Sequence, residues 1–235
     1  MHLTDIHCHI LPMVDDGPRT SEEAEAILKE ASEQGVKRII ATPHFRPEMF
    51  EPSMTQVAHS YRYMREKARE YDIRLKLGCE CYRCDELIQA LDERKRLTMA
   101  NGRYVLVEFS SHDLFSTFRR YVHDLLNHGY RPIIAHVERY NVGQSLDSIR
   151  ELKELGAYIQ INAGSVLGED GWKIKRLCHQ LMKEDLVDFI ASDTHNLKRR
   201  KMNLKKCAAY VKRKMGKKYA QRIFVENPAD IWKNR

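Results

Sequence analysis

Short apolar runs alternate along this chain with longer amphipathic stretches, and the alternation predicts strands followed by helices. The runs are Thr4–Ile10, Val36–Thr42, Arg74–Cys81, Tyr104–Phe109, Pro132–His136, Tyr158–Asn162 and Val187–Ser192. Between them, Thr20-Ser21-Glu22-Glu23 reads as a capping box opening a helix through about Gln34, with Gly35 as its stop. Further helical patterns span about Met54–Tyr71, Asp85–Glu93, Leu114–His128, Ser145–Leu155 and Trp172–Glu184, and a basic helix of about 204–218 closes the chain. Seven strands alternating with helices indicate an α/β fold with a parallel sheet, either a closed barrel or a doubly wound sheet. No glycine-rich dinucleotide fingerprint follows the first strand, and polar residues gather at strand ends, so a barrel of about seven strands with its chemistry at their carboxyl ends is the expectation. In the first strand, a period of two would place Asp5, His7 and His9 on one face and Ile6, Cys8 and Ile10 on the other.

At 235 residues the chain is long enough for one domain, residues 1–235, to bury a large core without help from a metal. With 43% hydrophobic and 31% charged residues it reads as an ordinary globular protein. A basic leader and an apolar span are both missing from its pattern, which points to a cytoplasmic protein that is not integral to a membrane. The net charge of +7 is uneven: residues 196–235 hold 14 Lys and Arg against two Asp and Glu, leaving −5 for the rest. Such a tail could attract nucleic acid. The tail lacks the interleaved aromatics that stack on bases, so a nucleic-acid partner is not expected and a solvated helical face is the simpler reading.

The strand ends carry His7, His9, Asp16, His44, Glu80, Glu108, His136, Asp193 and His195. Four carboxylates gathered at one rim demand cations, and nine donors are too many for one ion. Two or three divalent ions fit, and mixed imidazole and carboxylate donors suit manganese, iron or zinc. Such clusters activate water and clamp the attacking and leaving oxygens of an in-line displacement, which makes a phosphoester the natural substrate. Arg139 and Arg200 follow the donor motifs and could fork onto phosphate, with Arg199 an alternative to Arg200. Phe45, Met49 and Phe50 could form an apolar rim for a substrate ring or pack within their loop.

Two cysteine patterns compete for attention. Cys79, Cys81 and Cys84 include one C-x-x-C, with no second to complete a thiolate zinc site. Cys207 and Arg213 satisfy C-x5-R, but in a helical pattern without the glycine a phosphate-binding loop needs.

Asp-Ile-His-Cys-His-Ile, Val-Asp-Asp-Gly-Pro, Ala-Thr-Pro-His, Gly-Cys-Glu, Val-Glu-Phe, Ala-His-Val-Glu-Arg-Tyr and Ala-Ser-Asp-Thr-His-Asn-Leu occur in that order from about residue 3 to 200. Together they resemble the polymerase-and-histidinol-phosphatase (PHP) superfamily, and within it the bacterial metal-dependent protein-tyrosine phosphatases of the CpsB/CapC type, found in capsule and exopolysaccharide clusters. The resemblance implies a distorted (β/α)7 barrel holding three divalent ions, usually Mn2+, on the nine residues already named. It also implies phosphate contacts from Arg139 and Arg200. For the proton to the leaving group, His195 or a metal-bound water is the expected source. The implied partner is the tyrosine-rich tail of a cytoplasmic bacterial tyrosine autokinase, and homo-oligomers are admitted. A histidinol-phosphate phosphatase is the alternative within the superfamily.

Overall fold

Every apolar run contributes a strand, although the run Arg74–Cys81 is broken in two and a short strand beyond Val36–Thr42 was not expected. The chain is described by a computed structural model covering residues 1–93 and 96–234. In order it runs β1 (Leu3–Cys8), α1 (Ser21–Glu33), β2 (Val36–Ala41), β3 (His44–Phe45), α2 (Met54–Glu70), β4 (Arg74–Leu77), β5 (Glu80–Tyr82) and α3 (Leu87–Asp92). It continues through β6 (Tyr104–Glu108), α4 (Phe115–Asn127), β7 (Arg131–Ile134), α5 (Leu146–Glu154), β8 (Tyr158–Asn162), α6 (Ala163–Leu167), α7 (Trp172–Lys183) and β9 (Phe189–Ala191). The last part is α8 (Leu204–Met215), α9 (Lys217–Gln221), a π-helical turn (Arg222–Glu226) and α10 (Asn227–Lys233). No helix of the described residues is long and apolar enough to cross a membrane.

All strand pairing is parallel, in the order β1-β2-β4 and β3-β5-β6-β7-β8-β9. The two sheets join through the chain itself. Pro43 separates β2 from β3 and has no N–H to give, while Gly78-Cys79 separates β4 from β5, so the strand expected over Arg74–Cys81 is two. Pairing still crosses the breaks: Gly78 N donates to Ala41 O at 2.8 Å and Glu80 N to Pro43 O at 3.1 Å. Gly78 fits closely there: a Cβ would stand 2.8 Å from Met99 Sδ and force that side chain to shift. Past β9, Asp193 N donates to His7 O and His9 N to Thr194 O, both at 2.9 Å. The outcome is a curled parallel sheet whose last strand leans on its first.

Apolar side chains pack on both faces of that sheet. The convex face buries Ile39, Val105, Ile134 and Ile159 against helix residues such as Ile27, Leu28 and Val122. The concave face holds a separate cluster, Ile6, Ile40, Leu106, Ile133 and Phe189, closed by Ile231 and Trp232 of α10. Each fully buried side chain of this size stabilises the fold by roughly 1.5–3 kcal/mol.

Simple alternation fails in β1. Asp5 pairs with Ile39 but Cys8 with Ala41, so β1 carries an extra residue, a bulge of the kind that re-aims side chains beside functional sites. Ile6 therefore joins the concave cluster while Cys8 and Ile10 join the convex one. Asp5 does not share the histidines' direction; it accepts from Ser192 N (3.0 Å) and Ser192 Oγ (2.5 Å) instead.

Local punctuation also differs from its reading in two places. Thr20 Oγ1 accepts from Glu23 N (3.2 Å), but Glu23 turns to Arg19 N (2.8 Å), so α1 has half a capping box. Gly216, at φ +92°, ends α8 at Met215, so the basic helix expected over about 204–218 is α8 plus the start of α9.

Candidate metal centre

The nine polar residues expected at strand ends meet in one place. His7 and His9 come from the end of β1, Asp16 from the loop after it, His44 and Glu80 from the first positions of β3 and β5, and Glu108 from the end of β6. His136 follows β7, and Asp193 and His195 follow β9. At the middle stands Glu80, fully buried. Its Oε2 has His7 Nε2 at 3.0 Å, His9 Nε2 at 3.1 Å and His44 Nδ1 at 3.1 Å, while Oε1 has His136 Nε2 at 2.8 Å. His195 Nε2 and His44 Nε2 approach Asp16 Oδ1 at 3.1 and 3.4 Å. Asp193 Oδ1 lies 3.5 to 3.6 Å from His7, His9 and His195.

These approaches are mostly not hydrogen bonds. Glu80 Oε2, Glu108 Oε2, His44 Nδ1 and His195 Nε2 are buried and have no hydrogen-bond partner. Each such orphan costs about 1–3 kcal/mol. Three overlapping sets hold donor atoms within 4.8 Å of one another: His7/His9/Glu80, His44/Glu80/Glu108 and His9/Asp16/His44/His195. A set of imidazole nitrogens and carboxylate oxygens, buried and unsatisfied, fits divalent cations.

Without cations the charges are in conflict. Burial, then Glu80, pushes the Glu108 carboxyl up to about 7. Burial also takes His44 down to about 4, more than the neighbouring carboxylates restore. Against its burial, His7, Arg200 and Arg139 hold Asp193 well below the usual carboxylate range. Backbone strain adds to this, since His136 (φ +31°) and Asp193 (φ +54°) are left-handed without being glycine.

Both expected arginines reach the cluster. Arg139 Nη1 donates to Asp193 Oδ2 at 3.0 Å; Arg200 Nη2 donates to Asp193 Oδ1 at 2.8 Å and Nη1 to Asp16 Oδ2 at 3.3 Å. Their side chains stay 36% and 32% exposed, which leaves N–H groups facing the opening. Arg199, the alternative by spacing, is exposed. Of the apolar rim residues, Phe50 stacks on His44 (centroids 5.2 Å, 11° between planes) and Met49 is exposed, whereas Phe45 is buried beneath the Arg96 guanidinium.

Asp15 was not expected to contribute. Its Oδ2 accepts from His9 Nδ1 (2.8 Å) and His44 N (3.0 Å), turning His9 Nε2 toward the cluster. The Asp15-Asp16-Gly17 turn was its signal: Gly17 packs so closely that a Cβ would meet His9 O at 2.6 Å. Gln160 and Asn162 are buried here as well; the sequence signal for them is two polar side chains at a period of two in an apolar run, which marks a face that meets something polar.

The cysteines are all free, and none belongs to a donor set among the described residues. Cys207 is buried in α8, where burial pushes its thiol up, so its spacing to Arg213 builds no phosphate loop.

A family model described as capsular polysaccharide synthesis, CpsB/CapC, matches residues 3–233. Tyrosine-protein phosphatase CpsB of Streptococcus pneumoniae is 35% identical over 237 residues, covering 97% of this chain and 98% of that protein. Tyrosine-protein phosphatase YwqE of Bacillus subtilis (strain 168) is 31% identical over 217 residues, covering 91% and 85%. A crystal structure from work on YwqE of Bacillus subtilis and CpsB of Streptococcus pneumoniae, described as unique metal-dependent tyrosine phosphatases, superposes with a TM-score of 0.92 at 29% identity, covering 99% of this chain and 95% of that one. At 15% identity and a TM-score of 0.68, the phosphotriesterase homology protein of Escherichia coli shares the fold alone.

Proposed function

Because the chain belongs to the CpsB/CapC capsular polysaccharide synthesis family, we propose that it is a metal-dependent protein-tyrosine phosphatase. Its substrate is phosphotyrosine on the tail of a bacterial tyrosine autokinase that regulates capsule or exopolysaccharide synthesis, and it works in the cytoplasm as a single domain. We read the curled sheet as a distorted (β/α)7 barrel of the PHP type, with β2/β3 and β4/β5 each counted as one strand and the site at the strands' carboxyl ends. Three divalent ions, manganese before iron or zinc, would be held by His7, His9, Asp16, His44, Glu80, Glu108, His136, Asp193 and His195.

The observation that carries this reading is Glu80 Oε2, buried, approached by three imidazoles and accepting no hydrogen bond. Bound divalent ions supply Lewis acidity to a phosphoryl group and lower the pKa of water, the chemistry of in-line hydrolysis. The chain's own groups do the rest. Asp193 fixes Arg139 and Arg200, whose remaining N–H groups fork onto the non-bridging phosphate oxygens. Phe50, lying flat on His44, offers its other face to the substrate ring. His195 keeps its proton on Nδ1, against Asp193 O at 3.0 Å, so Nε2 presents a lone pair, as a ligand does and a general acid does not. A tyrosinate leaving group of pKa about 10 needs less protonation than an alkoxide.

The deciding experiment adds Mn2+ back to metal-stripped protein and compares a phosphotyrosine peptide, histidinol phosphate and a nucleotide. Manganese-dependent preference for the peptide is expected. Preference for histidinol phosphate would overturn the substrate, and failure to take up metal would overturn the site.

A further inference from the structure

Strand β8 reads Tyr158-Ile159-Gln160-Ile161-Asn162, and its two amides are buried with 0% and 2% of their surface exposed. Buried amides are tolerated when hydrogen-bonded and costly otherwise. Here every side-chain oxygen and nitrogen of the two amides has a hydrogen-bond partner, and beyond each other those partners lie on three other segments of the chain.

The orientation of the network follows from one group that cannot change role. The His136 backbone N–H can only donate, and it lies 2.9 Å from the side-chain oxygen of Gln160. Oε1 is therefore the acceptor, and His7 Nδ1, 3.1 Å from the same atom, must donate to it. That puts a proton of His7 on Nδ1 and leaves Nε2, 3.0 Å from Glu80 Oε2 and 3.1 Å from His9 Nε2, as the ring nitrogen turned to the cluster. The other end follows in turn: Gln160 Nε2 donates to Asn162 Oδ1 at 2.8 Å, and Asn162 Nδ2 donates to Asp193 Oδ2 at 2.7 Å. Asn162 N is itself held by Glu138 Oε1 at 3.0 Å.

We propose that Gln160 and Asn162 form an amide relay that positions three donors of the metal centre at once. The relay sets the tautomer of His7, anchors the left-handed backbone of His136 and, together with Arg139, fixes the Asp193 carboxylate through Oδ2. It touches no substrate. Partners that hold the far side of a metal-binding imidazole typically account for 10–100-fold in metal affinity, about what one relay bond would supply here. The inference rests on the metal-site reading given above.

Metal-stripped wild type, Gln160→Leu and Gln160→Glu are titrated with Mn2+ by calorimetry, and the His7 tautomer is read from long-range proton–nitrogen NMR couplings in the metal-free wild type. Leucine matches glutamine in bulk but accepts nothing; glutamate keeps an acceptor for both His7 and His136 and gives up only the donation to Asn162 Oδ1. The relay predicts Mn2+ affinity about 10–100-fold lower in Gln160→Leu and within several-fold of wild type in Gln160→Glu. A packing role predicts the reverse order, with leucine tolerated and an added buried carboxylate not, and that order overturns the relay. Should Gln160→Leu fail to fold, the tautomer decides: protonation at Nδ1 supports the relay and at Nε2 overturns it. Wild type that takes up no Mn2+ overturns the metal site and the relay with it, whereas normal uptake by wild type and Gln160→Leu alike overturns the relay alone.

Discussion

Glu80 and its neighbours Cys79 and Cys81 are adjacent in sequence and opposite in chemistry. Glu80 is where four imidazoles converge, and its Oε2 accepts no hydrogen bond. The two thiols are also buried and stay free, and the contact of Cys79 with Cys81, then burial, pushes Cys79 well above its ordinary range. Both regions carry metal-like spacing. What separates them is where the strand aims its atoms and whether those atoms are already satisfied: a cluster of donors is a binding site when it points at one place and lacks partners, and packing when the donors have found each other.

The sharpest way to break that contrast is to remove its centre. Glu80→Ala should lower phosphotyrosine-peptide turnover by at least about 10³-fold and empty the protein of metal as read by atomic absorption; near-normal metal content would move the centre elsewhere. Arg200→Ala should reduce kcat/KM by about 10²-fold while metal content stays at the wild-type level, because its proposed role is to bind phosphate and not the ions. Loss of metal in that variant would make Arg200 a structural clamp on Asp193. Asp15→Ala leaves every proposed ligand in place but frees His9 Nδ1, so Mn2+ affinity measured by calorimetry should fall roughly 10-fold, at the low end of such effects.

A smaller effect separates Asp5 from the cluster. Burial, opposed by its bonds to Ser192, raises Asp5 from 3.8 to about 6, so the fold prefers the protonated acid. Its stabilising contribution is complete below about pH 4 and lost as pH rises through 6, a change on the order of a few kcal/mol. Chemical denaturation of metal-free wild type between pH 4 and 6 should therefore slope downward more steeply than that of Asp5→Asn; parallel slopes would remove the effect. Smallest of all, Cys81→Ala should leave metal content and turnover unchanged and cost about 1 kcal/mol of stability by denaturant titration. Any loss of metal would reinstate the thiols as ligands.

Much of this was legible because the donors are polar residues in apolar surroundings. Strand order and the convergence of His7, His9, His44, Glu80, Glu108, His136, Asp193 and His195 follow from hydrophobic period and strand ends, which local sequence encodes. Three things did not follow. The bulge in β1 is a pairing event, invisible until Val36–Ala41 lies alongside, so alternation assigned Asp5 and Ile6 to the wrong faces. Asp15 and Gln160 act through partners as far as 29 and 153 residues away. The break at Gly78 lies inside the strand expected over Arg74–Cys81, because the strand resumes in the same direction beyond it, whereas the strand expected over Val36–Thr42 ends before Pro43.

One feature of the floor reaches beyond chemistry, into the order in which the molecule can be made. Ile6, from the first strand, shares its concave cluster with Ile231 and Trp232, close to the last described residue. A nascent chain cannot finish that interior while those residues are still within the ribosome, so the concave core beside the histidines is completed only once synthesis has passed residue 232. Contacts of such long sequence separation slow folding and leave apolar strand faces uncovered in the interval.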